Sequence, residues 1–345
     1  MQAEPRIFAP RLRFCVAAAF NLAASPDRTY HPVTTSLDRR LQKLNDFAID
    51  MLKRCSIIKL MNRLDSTTRE QIINCLIEGC SIRSTVRMTG AAKKTVMRVL
   101  VEIGAVCADF QDHAFRSLNS KRIQVDELWA FCYCKEKNVT PEIAAKHYGA
   151  GNLWLWVAID ADTKIVPCWY LGDRGRKSAH MFRSDLARRL SNRVQLTSDG
   201  HKAYLDAVEH AFGSEVDYSM MVKVFGSDRE QQVRYSPGVC IGTEVIRING
   251  NPDPDHVSTS FAERQNWTVR TNMRRYTRLA NGFSRKVQNH EAAVALNYFA
   301  YNFIKIHRTL RVTPAMAAGV TTRLWDVADL VALWESHERD EERAA

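Results

Sequence analysis

Residues 123–133 read Ile123-Gln124-Val125-Asp126-Glu127-Leu128-Trp129-Ala130-Phe131-Cys132-Tyr133, a run rich in β-branched and aromatic residues that predicts a strand. An acid stands in its middle. Downstream, Leu153–Asp160 and Ile165–Leu171 have the same texture, and the short Ala161-Asp162-Thr163 link between them is a hairpin signal. Three antiparallel strands are therefore expected first. The pattern then alternates: a helix over Ser178–Leu190, a strand at Val194–Thr197, a helix around Tyr204–Phe212 and a strand at Met220–Phe225. An irregular Gly/Pro-rich segment, Ser236–Asp255, precedes a long helical stretch.

Three strands followed by α/β alternation predict a mixed α/β, ribonuclease H-like core with helices on both faces of the sheet. Such a core works through acidic side chains at strand ends that hold two divalent ions, and hard ions such as Mg²⁺ prefer carboxylate oxygens. Asp126 is a candidate because an ionised acid among buried neighbours is costly unless it meets a cation. Asp199 follows Val194–Thr197 and precedes Gly200, at a strand end where open α/β sheets gather their ligands. Glu263 lies in the helical run Ser260-Phe261-Ala262-Glu263-Arg264-Gln265-Asn266-Trp267. On a helical wheel Glu263, Asn266, Trp267, Arg270 and Arg274 share one face, and Phe261, Val269 and Tyr276 fall on the other. Arg270, two turns beyond Glu263, is placed to take a phosphate, Trp267 to stack on an unpaired base, and His201 to contact phosphate beside Asp199. Glu127 adjoins Asp126 but points to the opposite face of a regular strand, which favours a structural role.

Upstream, Thr67–Glu70 fits a capping box, and Ile72, Ile73, Leu76 and Ile77 form an apolar face that stops at Gly79. A second short helix starts at Ser81 and is broken by Thr89-Gly90, and a third runs from Ala91 to Gly104. Three short helices with a tight turn before the last make a helix-turn-helix. Arg83, Arg87, Lys93, Lys94 and Arg98 fall within it with no acid among them, so these are the candidate DNA-binding residues. The chain as a whole carries 49 Lys+Arg against 38 Asp+Glu, a net +11 that favours a polyanionic partner. Nine cysteines without a CxxC pair argue against a disulfide framework or zinc ribbon and suggest reduced thiols in the cytoplasm. Arg11–Ala24 has some signal-peptide character, interrupted by Asn21, and no apolar run approaches the length of a membrane span. The expected organisation is an extension over 1–60 with a possible amphipathic helix at Leu37–Leu52, a helix-turn-helix over 61–108 and a linker over 109–120. A catalytic domain over 121–320 and an acidic tail over 321–345 complete it.

The runs Val125-Asp126-Glu127-Leu128-Trp129, Ser198-Asp199-Gly200-His201-Lys202-Ala203-Tyr204 and Ser260–Asn266 with Arg270 resemble the DDE transposases of bacterial insertion sequences, most closely the insertion-sequence-one (IS-one) family. The closing Asn302…His307-Arg308-Thr309-Leu310…Thr313-Pro314-Ala315 is similar to the tail of many such enzymes. The resemblance spans about residues 61–320. It implies that Asp126, Asp199 and Glu263 are the catalytic metal ligands for two divalent ions (Mg²⁺, or Mn²⁺ in vitro) and that Arg270 is the basic residue following the Glu. It also implies binding of double-stranded DNA at terminal inverted repeats and at the target, strand transfer by transesterification, and assembly of a homodimer or higher oligomer on DNA. Some relatives carry an N-terminal zinc finger that this sequence lacks, which leaves end recognition to the helix-turn-helix.

Overall fold

Arg122–Cys132 (β1) runs through the middle of a six-stranded mixed sheet in the computed structural model, which describes residues 63–226, 240–277 and 281–344. The other strands are Gly151–Asp160 (β2), Cys168–Gly172 (β3), Val194–Asp199 (β4), Val216–Phe225 (β5) and Cys240–Asn249 (β6), in the order β3-β2-β1-β4-β5-β6. β1, β2 and β3 are antiparallel neighbours, β4 and β5 run parallel to β1, and β6 returns antiparallel along β5. Alternation along β1 sends Ile123 and Val125 into one core and Leu128, Ala130 and Cys132 into the other. Both faces are therefore covered. Arg176–Arg189 (α5) and Ala203–Phe212 (α6) cover the first face through Phe182, Leu186, Tyr204 and Val208. Ser260–Asn272 (α7) and Val287–Phe299 (α8) cover the second through Ala262, Val269, Val294 and Phe299. Pro141–Lys146 (α4) follows β1 and precedes β2 in sequence.

The N-terminal helices are Ser66–Ile77 (α1), Ile82–Thr89 (α2) and Lys93–Ala114 (α3). α1 is capped by Asp65, whose carboxylate accepts from the Thr68 backbone N–H at 2.8 Å, so Thr67 and Glu70 lie inside the helix rather than forming its capping box. α2 is capped by Ser81 and ends at Gly90, whose φ of 72° is the left-handed conformation glycine adopts without strain. α3 does not stop at Gly104. A Cβ there would come within 2.5 Å of Ala292, so this glycine marks where α3 crosses α8, not a helix end. Residues 109–114, expected in a linker, are helical, and Gln111, Phe115 and Leu118 are buried.

Two further segments differ from expectation. The Gly/Pro-rich stretch contains β6, an edge strand whose side chains stay exposed on both faces. The acidic tail is the helix Val327–Ala344 (α10), which docks on α1 through Leu330, Val331 and Trp334. Arg69, almost fully buried, secures it: its guanidinium makes a two-pronged contact with Glu338 at 3.0 and 3.2 Å and lies 4.1 Å from the Trp334 ring centre. The short helix Pro314–Ala317 (α9) lies between α8 and α10 in sequence. The amphipathic segment Leu37–Leu52 lies outside the described residues. Among the described residues no helix is long and apolar enough to cross a membrane.

Candidate metal centre

Three elements meet where β1 and β4 lie side by side. Asp126 is at the middle of β1, Asp199 is the last residue of β4, and Glu263 is in the first turn of α7. All three line one cleft of about 690 Å³. Strand parity explains the first two: Ser198 turns its hydroxyl to Tyr218 in the α5/α6 core at 2.8 Å, which sends Asp199 to the α7 side, the same side as Asp126.

Two side chains fix α7 above the strand. Gln124 Oε1 accepts from the backbone N–H groups of Phe261 and Ala262 at 2.8 and 3.2 Å, satisfying donors that a helix start leaves unpaired. Asn266 Nδ2 donates to Asp126 Oδ2 at 2.8 Å. Glu263 is thus held over the sheet from both ends of its turn. Its own carboxylate accepts from Thr259 Oγ1 at 2.7 Å and is paired with the Lys223 ammonium, which projects from β5.

Carboxylate oxygens of Asp126, Glu127 and Asp199 come within 4.8 Å of one another. Glu127 does lie on the α5/α6 side of β1, yet it reaches this group. Its side chain is only 1% exposed; Oε2 accepts from Arg174 at 3.1 Å, and the buried Tyr204 hydroxyl faces the same carboxylate. Burial, reinforced by the charges of Glu127 and Asp199, pushes the Asp126 carboxyl up to about 7. Burial and the charge of Asp199 push Glu127 up to about 7 as well. Burial also pushes Glu263 upward, but the hydrogen bonds from Lys223 and Thr259 outweigh it and hold the carboxyl below its ordinary value. Three crowded carboxylates supply the hard oxygen donors that a divalent cation takes.

Cations ring the acids. Arg174 reaches Asp199 at 4.0 Å as well as Glu127, and its guanidinium lies 4.6 Å from the Trp154 ring centre. The His201 backbone N–H donates to Asp199 Oδ1 at 3.0 Å, and its ring packs on Trp156, where burial and then Arg174 lower its pKa. Lys202 and Lys223 complete the rim.

The remaining sequence-derived residues are distributed more widely. Arg83, Arg87, Lys93, Lys94 and Arg98 are all exposed on α2 and the start of α3, away from the cleft. Arg270 is half-buried on α7 and does not line the cleft. The face drawn on the helical wheel breaks down at both ends. Phe261, expected on the apolar back, is exposed beneath the Lys164 ammonium, and Arg274 lies beyond the helix in a one-turn 3₁₀ segment. Trp267 is 53% exposed with the Arg264 guanidinium 4.4 Å from its ring centre. Arg174 and Lys223 carry no sequence signal of their own, because only the register of β5 and the loop after β3 bring them here. Compared with models of known protein families and with curated proteins, the chain finds no match in either.

Proposed function

We propose that the chain is a metal-dependent DNA strand transferase, a DDE transposase of insertion-sequence type, with a ribonuclease H-like core and a helix-turn-helix formed by α1 to α3. The observation that carries this reading is the single cleft shared by Asp126, Asp199 and Glu263, acids drawn from positions 137 residues apart in sequence and surrounded by cations. The leading antiparallel strands and the parallel β4 and β5 support the core assignment. Asp126, Glu127, Asp199 and Glu263 are the residues that would hold the divalent ions. When bound, such ions activate a water or 3′-hydroxyl and stabilise the leaving oxygen at phosphorus. Lys202 on the rim would meet the non-bridging phosphate oxygens, Arg174 would join it as the ions take over its carboxylate partners, and Asn266 holds Asp126 in a fixed orientation for the reaction. The exposed bases of α2 and α3 offer duplex DNA a surface separate from the chemistry.

The test is incubation of the full chain with Mg²⁺ or Mn²⁺ and DNA carrying the inverted repeats that flank its gene. Asp126→Asn, Asp199→Asn and Glu263→Gln are each expected to abolish cleavage and joining while a gel-shift assay still detects end binding. Wild-type strand transfer by any one of them removes that residue from the site. Wild-type protein that binds the ends but never cleaves them points instead to a catalytically silent DNA-binding regulator.

A further inference from the structure

Glu263 is the one acid of the cleft that stands apart from the carboxylate group of Asp126, Glu127 and Asp199, and a lysine is what it touches. Lys223 lies near the end of β5, opposite Thr243 of β6, with its side chain on the α7 side of the sheet. Its ammonium and the Glu263 carboxylate are both about one-third exposed or more, so each is free to exchange partners with what enters the cleft. Thr259 at the start of α7 steadies the same Glu263 oxygen that takes the lysine.

We propose that Lys223 is a positioning residue that takes the cation place beside Glu263 while no metal is bound and must give up this carboxylate before a divalent ion can take it. The proposal rests on the strand-transferase reading and deepens it. An ammonium and a divalent ion compete for the same oxygens, since Glu263 cannot neutralise both at full strength. Lys223 thereby keeps α7 and its acid in place when the other three carboxylates repel one another. On ion binding the released ammonium is left at the rim of the cleft, where a DNA phosphate would arrive.

The experiment is a calorimetric titration of the full-length protein with Mn²⁺ in the absence of DNA. Wild-type protein is compared with Lys223→Gln, Lys202→Gln, Glu263→Gln and the Lys223→Gln/Glu263→Gln double variant. Removal of the competing ammonium is expected to tighten Mn²⁺ binding about twofold to fivefold in Lys223→Gln. Lys202→Gln removes an equal charge from the same rim without touching Glu263, and is expected to change the affinity less than twofold. In the Glu263→Gln background the effect of Lys223→Gln should vanish, because the contested ligand is gone. Lys223→Arg, which keeps the ion pair, should restore the wild-type affinity. Unchanged or weaker binding in Lys223→Gln overturns the proposal, as does an equal gain in Lys202→Gln or persistence of the gain without Glu263. Those results leave the metal centre standing. Absence of Mn²⁺ binding in the wild type, or binding indifferent to Asp126→Asn, instead defeats the metal-centre reading itself.

Discussion

Asp126 is held in a costly state when no cation is near. It is flanked by Glu127 and Asp199, and its neutral form is favoured up to about pH 7. Replacement by Asn removes the repulsion, and the Asn266 amide, whose Oδ1 has no hydrogen-bond partner among the described residues, can turn over to accept from the new amide. Asp126→Asn is therefore expected to unfold at a higher temperature than wild type in EDTA at pH 8, by about 1–3 kcal/mol of stability. Excess Mn²⁺ should reverse the order, since only the wild type gains binding energy. A second residue, remote from the cleft, isolates the effect of burial alone. Burial pushes the Glu291 carboxyl from 4.5 up to about 7. Between these values the folded chain holds a proton that the unfolded chain has lost. The stability from this group is complete below the unfolded value and disappears as the pH rises through the folded one. Glu291→Gln should flatten that loss and raise stability at pH 8 by on the order of 1–3 kcal/mol, measured by urea denaturation at pH 5 and pH 8.

At the scale of elements, the crossing of α3 and α8 depends on a residue without a side chain. Gly104→Ala should raise the helix propensity of α3 but push a methyl into the Ala292 backbone, and the clash should win. The expected outcome is a net destabilisation of about 1–3 kcal/mol by chemical denaturation, with a larger loss for Gly104→Val. This glycine also shows why the sequence could be misread: a helix-ending glycine and a helix-crossing glycine look identical until the partner helix is known. β1, β2, β4 and β5 were legible because their Val, Ile and aromatic content is dense and their flanks carry turn residues. β6 was not, because Gly238, Gly242, Gly250 and the nearby prolines dominate the local pattern, and its pairing with β5 is a tertiary fact. The acids at Asp126 and Asp199 could be picked out from strand placement alone. Glu127 could not, because parity assigns it to the wrong face while the length of its side chain brings it back to the strand end beside Asp199.

Across the described molecule, positive charge lies in two places, with different consequences for the proposed DNA ligand. Around the cleft the cations already face carboxylates: Arg174 serves Glu127 and Asp199, and Lys223 serves Glu263. On α2 and α3 the exposed bases have little local acid, and among the described residues the one ion pair they make is Arg98 with Glu102 at 3.9 Å. A nucleic acid carries condensed counterions because of its own charge density, and bases that neutralised its phosphates would release them. Each phosphate neutralised contributes a slope of about −0.9 to the dependence of log affinity on log salt. Lys94→Ala combined with Arg98→Ala should weaken binding to the end sequences and make that slope shallower by about 2 if both residues meet phosphates, or by about 1 if Arg98 stays with Glu102. Asp126→Asn in the same assay should leave the slope unchanged, because a carboxylate deep in the cleft releases no phosphate counterions. The two variants should therefore separate: one binds poorly and still cleaves DNA supplied at saturating concentration, the other binds well and cleaves nothing. An unchanged slope in the Lys94/Arg98 variant, measured by fluorescence anisotropy from 50 to 300 mM salt, would move end recognition away from α2 and α3.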